Sequence, residues 1–150
     1  MNIKKGNLLT DRVNCIHFNL RKAMRAVTQH YDTILQPVGL RGTQFSILSM
    51  VSALGQVSIT DLADRMVIDR TTLTRNLKPL VTANLLEIYP GEDRRVKVVK
   101  LTPVGRRTLK KASPYWEEAQ SSMLSHLGKK RARILLEDLT MATSIGEVGQ

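Results

Sequence analysis

The reading turns on residues 58–105, SITDLADRMVIDRTTLTRNLKPLVTANLLEIYPGEDRRVKVVKLTPVG. The period of the apolar residues changes within this stretch. Leu62, Ala63 and Met66 recur at helical spacing, and Ser58 or Thr60 can cap the start of that helix. Val67 and Ile68 form a turn. Asp69 then caps a second helix that runs to about Ala83, with Leu73, Leu77 and Leu80 facing inward. Pro79 lies inside it, removes one backbone bond and is expected to bend its last turn. Asn84 stands where a left-handed residue closes a helix. Beyond it, 85–89 reads as a strand, 90–95 as a charged turn and 96–101 as the return strand.

Working outward, residues 11–36 form one long helix. Leu9, Val13, Ile16, Leu20, Met24, Val27, Tyr31 and Leu35 make its stripe, Thr10 caps it, and Pro37 and Gly39 end it. A helix over 43–54 follows, with Phe45, Leu48, Val51 and Leu54 inward, and then a short segment, 56–58, fit only for an edge strand. On the other side, Thr102-Pro103 is an N-cap with a first-turn proline. The helix it starts reaches about Leu127, and Pro114 is expected to split it near Ser113. Gly128 breaks the chain before a last helix over 129–144 with Ile134, Leu135, Leu139 and Ala142 at helical spacing.

The expected fold is mainly α with a small β-hairpin wing: a winged helix-turn-helix flanked by long dimerisation helices. The expected division is an N-terminal dimerisation helix over 1–36, a DNA-binding unit over 37–104 and C-terminal dimerisation helices over 105–150. The flanking helices exceed what a compact winged helix of about 50 residues needs, so their stripes call for a second copy of the chain.

Charge and side-chain chemistry point to the partner. Twenty-three Lys and Arg against 13 Asp and Glu give a net charge of +10, which favours a polyanion. In a helix-turn-helix the second helix enters the major groove. Here its outward side carries Thr71, Thr74, Arg75 and Lys78, with Arg70 and Thr72 near its start and no carboxylate. Arginine bonds guanine bidentately, and threonine offers a methyl group to thymine or a hydroxyl to phosphate. The hairpin carries Asp93, Arg94, Arg95 and Lys97. Arginine suits a narrow minor groove, and Asp93 is expected to hold the Arg95 guanidinium in one orientation. Ser58 and Thr60 are candidate contacts to the DNA backbone.

These residues resemble the MarR family. The resemblance rests on Ile59-Thr60-Asp61-Leu62-Ala63, on Asp69-Arg70-Thr71-Thr72-Leu73-Thr74-Arg75, on the wing Asp93-Arg94-Arg95, and on Leu101-Thr102-Pro103-Val104-Gly105. It covers about residues 11–145, with Asn84 where the family usually has glycine. It implies a homodimer with interlocked terminal helices. Such a dimer binds double-stranded DNA at a pseudo-palindromic operator, with recognition helices in successive major grooves and wing arginines in flanking minor grooves. It further implies a regulator, expected to be a repressor, released by a small lipophilic or phenolic effector.

Other signals are weaker. Tyr31, Phe45, Met50 and Trp116 either line an effector pocket or belong to the core. Cys15 is either an oxidant-sensing thiol flanked by Arg12 and Lys22 or a buried, inert one. A winged-helix protein-interaction module is the remaining alternative. His17, His30 and His126 lack the spacing of a metal site, no cofactor motif is present, and no triad or paired-carboxylate pattern suggests an enzyme. One cysteine excludes an internal disulfide. The basic start at Lys4 and Lys5 lacks a signal-peptide core, and no apolar run approaches the ~20 residues of a membrane span. The expected location is the cytoplasm, with no membrane partner.

Overall fold

A computed structural model of the chain describes residues 9–147; Lys4 and Lys5 lie outside them. The elements follow the expected order: α1 (Ile16–Leu35), α2 (Gly42–Leu54), β1 (Gln56–Ser58), α3 (Ile59–Met66), α4 (Arg70–Thr82), β2 (Leu86–Pro90), β3 (Lys97–Leu101), α5 (Pro103–Leu127) and α6 (Lys129–Thr143). Short 3-10 turns at Arg12–Asn14, Gln36–Val38 and Ser144–Glu147 complete it.

Three expectations at this level need correction. The first helix does not begin at Thr10. The Asp11 carboxylate instead accepts from the Val13 N–H and fixes the Arg12–Asn14 turn, and α1 starts only after Cys15. The expected edge strand over 56–58 is present as β1 and joins the hairpin in a three-stranded sheet, in the order β1-β3-β2 and antiparallel throughout. Three residues suffice for β1 because Val57 faces Val99 across the ladder and both are buried. Helix α5 is not split at Pro114 but runs unbroken through it. Proline removes one N–H donor, and Pro114 is exposed, so water can serve the freed carbonyl. The last helix ends at Thr143, a residue early.

The core lies where α2, α3 and α4 meet the sheet and the first turns of α5. Leu48, Val51, Leu62, Leu73, Leu77 and Val99 are all fully buried there, joined by Leu35 from the end of α1. Two polar contacts tie the long helices to this core. The Asp32 carboxylate of α1 accepts the N–H of Gly42 at the start of α2 at 2.7 Å, and the Tyr31 hydroxyl of α1 donates to the Gln120 side chain of α5.

The Leu101–Gly105 segment locks α5 to the base of the hairpin. The buried Thr102 hydroxyl donates to the Asn84 carbonyl at 2.6 Å and accepts from the Gly105 N–H at 2.9 Å, which caps α5. Gly105 lies against the Leu85 carbonyl so closely that a Cβ would sit 2.0 Å from its oxygen. Only glycine permits that approach. Asn84 holds φ +57°, the left-handed cap expected of it.

Candidate nucleic-acid interface

The turn between α3 and α4 is closed at both ends by side chains. The Ser58 hydroxyl accepts from the Asp61 N–H at 3.0 Å and caps α3. Asp69 accepts from the Thr72 N–H at 2.8 Å and from the Thr72 hydroxyl at 2.6 Å, capping α4. The Thr72 hydroxyl, and then its N–H, hold the Asp69 carboxyl below its ordinary value. Ser58 and Thr72 therefore spend polar groups on their own helices. Thr60 lies exposed in the first turn of α3.

Helix α4 separates its residues by chemistry. Leu73, Leu77 and Leu80 are buried, while Arg70, Thr71, Thr74, Arg75 and Lys78 stand exposed on the other side. The Thr74 hydroxyl donates to the Arg70 carbonyl, which leaves its methyl group and lone pairs outward. The helix passes through Pro79 to Thr82.

The hairpin and α4 share one concave surface. A cleft of about 820 Å³ is lined by Arg70, Thr71, Thr74, Arg75, Lys78, Val81 and Thr82 of α4 and by Ile88 of β2. Ile88 lies opposite Val99, and Pro90 opposite Lys97. Side chains alternate along a strand, so Lys97 shares the Ile88–Val99 face, the face turned to α4. Val81, Thr82 and Ile88 were not singled out from sequence. A period-of-two count from the buried Leu86 along β2 places Ile88 on this face, though not beside α4.

Arg94 and Arg95 are exposed at the hairpin tip. Gly91 N–H donates to the Val96 carbonyl and Val96 N–H to the Asp93 carbonyl, which closes the turn. The expected clamp of Asp93 on the Arg95 guanidinium is not what forms. The Asp93 carboxylate accepts from the Arg95 backbone N–H at 3.0 Å. A short acidic side chain reaches the backbone two residues on more readily than the end of a long guanidinium. Asp93 shapes the turn and leaves both guanidinium groups free.

The one ion pair among the described residues joins Lys100 and Glu87 at 2.9 Å, on the strand face turned away from α4. Arg70, Arg75, Lys78, Arg94, Arg95 and Lys97 therefore carry no counter-ion among the described residues. Such an array of exposed cations with interleaved hydroxyls is chemically complementary to phosphate and base edges.

Of the remaining candidates, Phe45, Met50 and Trp116 border one crevice between α2 and α5, and Phe45 stacks on Trp116 with ring centroids 6.0 Å apart. Tyr31 stands apart from that lining, half-buried, and burial raises its hydroxyl pKa. Cys15 is an exposed free thiol at the N-cap of α1. No group of three His, Cys, Asp or Glu among the described residues is placed to hold a metal ion. No described helix is long and apolar enough to cross a membrane.

Residues 40–97 match the model of the MarR family. The chain is 34% identical to the Mycobacterium tuberculosis transcriptional regulator MosR, solved in complex with DNA, with a TM-score of 0.82 over 89% of this chain and 97% of that one. The transcriptional repressor CouR, bound to a 23-mer DNA duplex, is 25% identical at a TM-score of 0.79, over 95% of this chain and 99% of that one. The HTH-type transcriptional regulator YdgJ of Bacillus subtilis, itself uncharacterised, is 26% identical over 67% of this chain and 62% of its own length. Cap, recognition helix, wing and the glycine-locked start of α5 thus agree with these likenesses, and the chain belongs to the MarR family of winged helix-turn-helix transcriptional regulators.

Proposed function

We propose that the protein is a homodimeric repressor that binds a pseudo-palindromic DNA operator and releases it when a small lipophilic or phenolic effector binds. The observation that carries this is the concave surface on which Arg70, Thr71, Thr74, Arg75 and Lys78 stand exposed, with the unpaired Arg94 and Arg95 at the wing tip. In this reading Arg75 and Lys78 contact base edges and Arg95 enters the minor groove. Arg70, Thr71 and Thr74 meet the phosphates and thymine methyls beside them, and Lys97 tracks the backbone. Thr72, Asp93 and Ser58 serve mainly by setting the helix starts and the turn, and Thr60, exposed in the first turn of α3, meets the DNA backbone. A surface made of cations is a binding surface, and the protein acts as a regulator rather than an enzyme.

The dimer reading rests on surface left uncovered. A compact monomer of 16.8 kDa exposes about 7,600 Å², whereas this chain exposes 11755 Å². The exposed apolar residues gather on the terminal helices: Val13, Ile16, Leu20 and Met24 at one end, Ile134, Leu135, Leu139, Met141 and Ile145 at the other. Residues 1–36 and 105–150 would form the dimerisation part and 37–104 the DNA-binding part. The effector site would be the crevice bordered by Phe45, Met50 and Trp116.

A mobility shift with double-stranded DNA from upstream of the protein's own gene, run at several salt concentrations, tests the DNA reading. Affinity should fall steeply with salt. Arg95→Ala should weaken specific binding by roughly 1–3 kcal/mol. Wild-type affinity in that variant would remove the wing from the interface. No shift at any salt concentration would favour a protein-interaction module instead. The exposure of Cys15 keeps an oxidant-sensing reading open: it requires peroxide to release DNA from the wild type and not from Cys15→Ser.

A further inference from the structure

The crevice between α2 and α5 has a chemical bias of its own. Its volume is about 540 Å³, and Phe45, Ser46, Ser49, Met50, Ala53, Ser113, Trp116 and Glu117 line it. The volume suits a small organic molecule. Phe45 and Trp116 are nearly parallel, at 11°, and Trp116 stays 37% exposed although its partner Phe45 is buried. That leaves an aromatic platform open to a planar ligand.

The polar groups around the platform are nearly all acceptors. The Ser46 hydroxyl donates its proton to the Gly42 carbonyl at 3.0 Å, and the Ser113 hydroxyl donates to the Leu109 carbonyl at 3.0 Å. A hydroxyl has one proton, so both serines present only lone pairs to the crevice. Glu117 is a carboxylate, again acceptor-only. Ser49 alone keeps an uncommitted hydroxyl proton, and no Lys or Arg lines the space. In a chain with 23 Lys and Arg, Glu117 has no ion-pair partner.

From this we infer that the crevice selects its ligand by charge: it takes a planar aromatic cation, an aryl amine or amidine, in preference to a neutral phenol, and rejects an aromatic carboxylate. The cation lies on the open side of Trp116, where the ring quadrupole attracts positive charge. Its N–H groups donate to Glu117 and to the lone pairs of Ser46 and Ser113. A carboxylate of the same shape finds one donor, Ser49, and faces the like charge of Glu117. A phenol falls between, with one proton to give. The inference rests on the effector-site reading above for the place of the site, and puts an aromatic cation ahead of the phenol as its ligand.

The test uses three probes of one shape: 4-phenylbenzamidine, 4-phenylphenol and 4-phenylbenzoate. Their affinities for the full chain are measured by calorimetry without DNA. The emission of Trp116, the chain's single tryptophan, reports where they bind. The amidine should bind at least about tenfold more tightly than the benzoate, the advantage of a charge-assisted hydrogen bond to an accessible carboxylate. Glu117→Gln, an exposed substitution, should erase most of that advantage and weaken the phenol far less than the amidine. If the phenol or the benzoate binds best, or if the preference survives Glu117→Gln, the charge assignment falls while the effector site stands. If none of the three binds and alters Trp116 emission, the effector-site reading falls with it.

Discussion

Asp69 is the residue at which the position of the recognition helix is decided. Its carboxylate accepts both the hydroxyl and the N–H of Thr72, and these bonds depress its pKa. A carboxyl whose folded pKa lies below its unfolded one stabilises the fold fully above the unfolded value. That contribution disappears as pH falls through the folded value. The Asp69 contribution should therefore be intact above the ordinary 3.8 and fade below it. Asp69→Asn keeps the shape of the cap without the charge. The melting temperature of the wild type should exceed that of this variant near neutral pH, and the gap should close in acid. A gap that persists or widens in acid would mean that the charge does not hold the cap. The same scale explains the free arginines of the wing: Asp93 spends its carboxylate on a backbone N–H and holds neither guanidinium.

At the scale of elements, the turn between α3 and α4 carries strain. Val67 closes α3 in the left-handed region at φ +54° and is 66% exposed. A β-branched residue is costly there, and its side chain gains little from burial in return. Val67→Asn should raise stability by about 1 kcal/mol, read from denaturant unfolding, because asparagine tolerates that conformation. A destabilised variant would show that the valine makes a compensating contact. Most of the elements were legible because their signals are local: the caps Ser58, Asp69 and Thr102, the leucines of α4 and the turn at 90–95 each report on neighbours in the chain. What sequence missed depends on distant partners. The edge strand over 56–58 was legible, but its pairing with β3 was not, because β3 lies far along the chain. Proline at 114 argued for a break, yet α5 runs on, because its single lost bond faces solvent while Ala112 and Ala119 stay buried on either side of it. The joint cleft was invisible for a similar reason. It needs Ile88 of β2 brought beside Val81 of α4, residues that belong to different elements.

At the scale of the whole molecule, the proposed dimer rests on apolar surface that the chain leaves exposed. Ile16 is 72% exposed on the stripe of α1, so replacing it with a charged residue costs a monomer little. In a dimer the same change would bury an unpaired charge. Ile16→Glu should leave the fold intact by circular dichroism, halve the mass seen by light scattering and weaken DNA binding, because two linked half-sites bind far better than one. A variant that remains dimeric would move the interface elsewhere.

In the proposed dimer, two copies of α4 and its wing read one duplex together. A hydroxyl-radical footprint on the DNA upstream of the gene tests it most directly. Two protected half-sites are expected about 10 base pairs apart, centre to centre, related by a two-fold axis, with protection from the wing extending into the flanking minor grooves. In Arg95→Ala the flanking protection alone should be lost. A single unpaired protected block, or protection that does not depend on sequence, would contradict it.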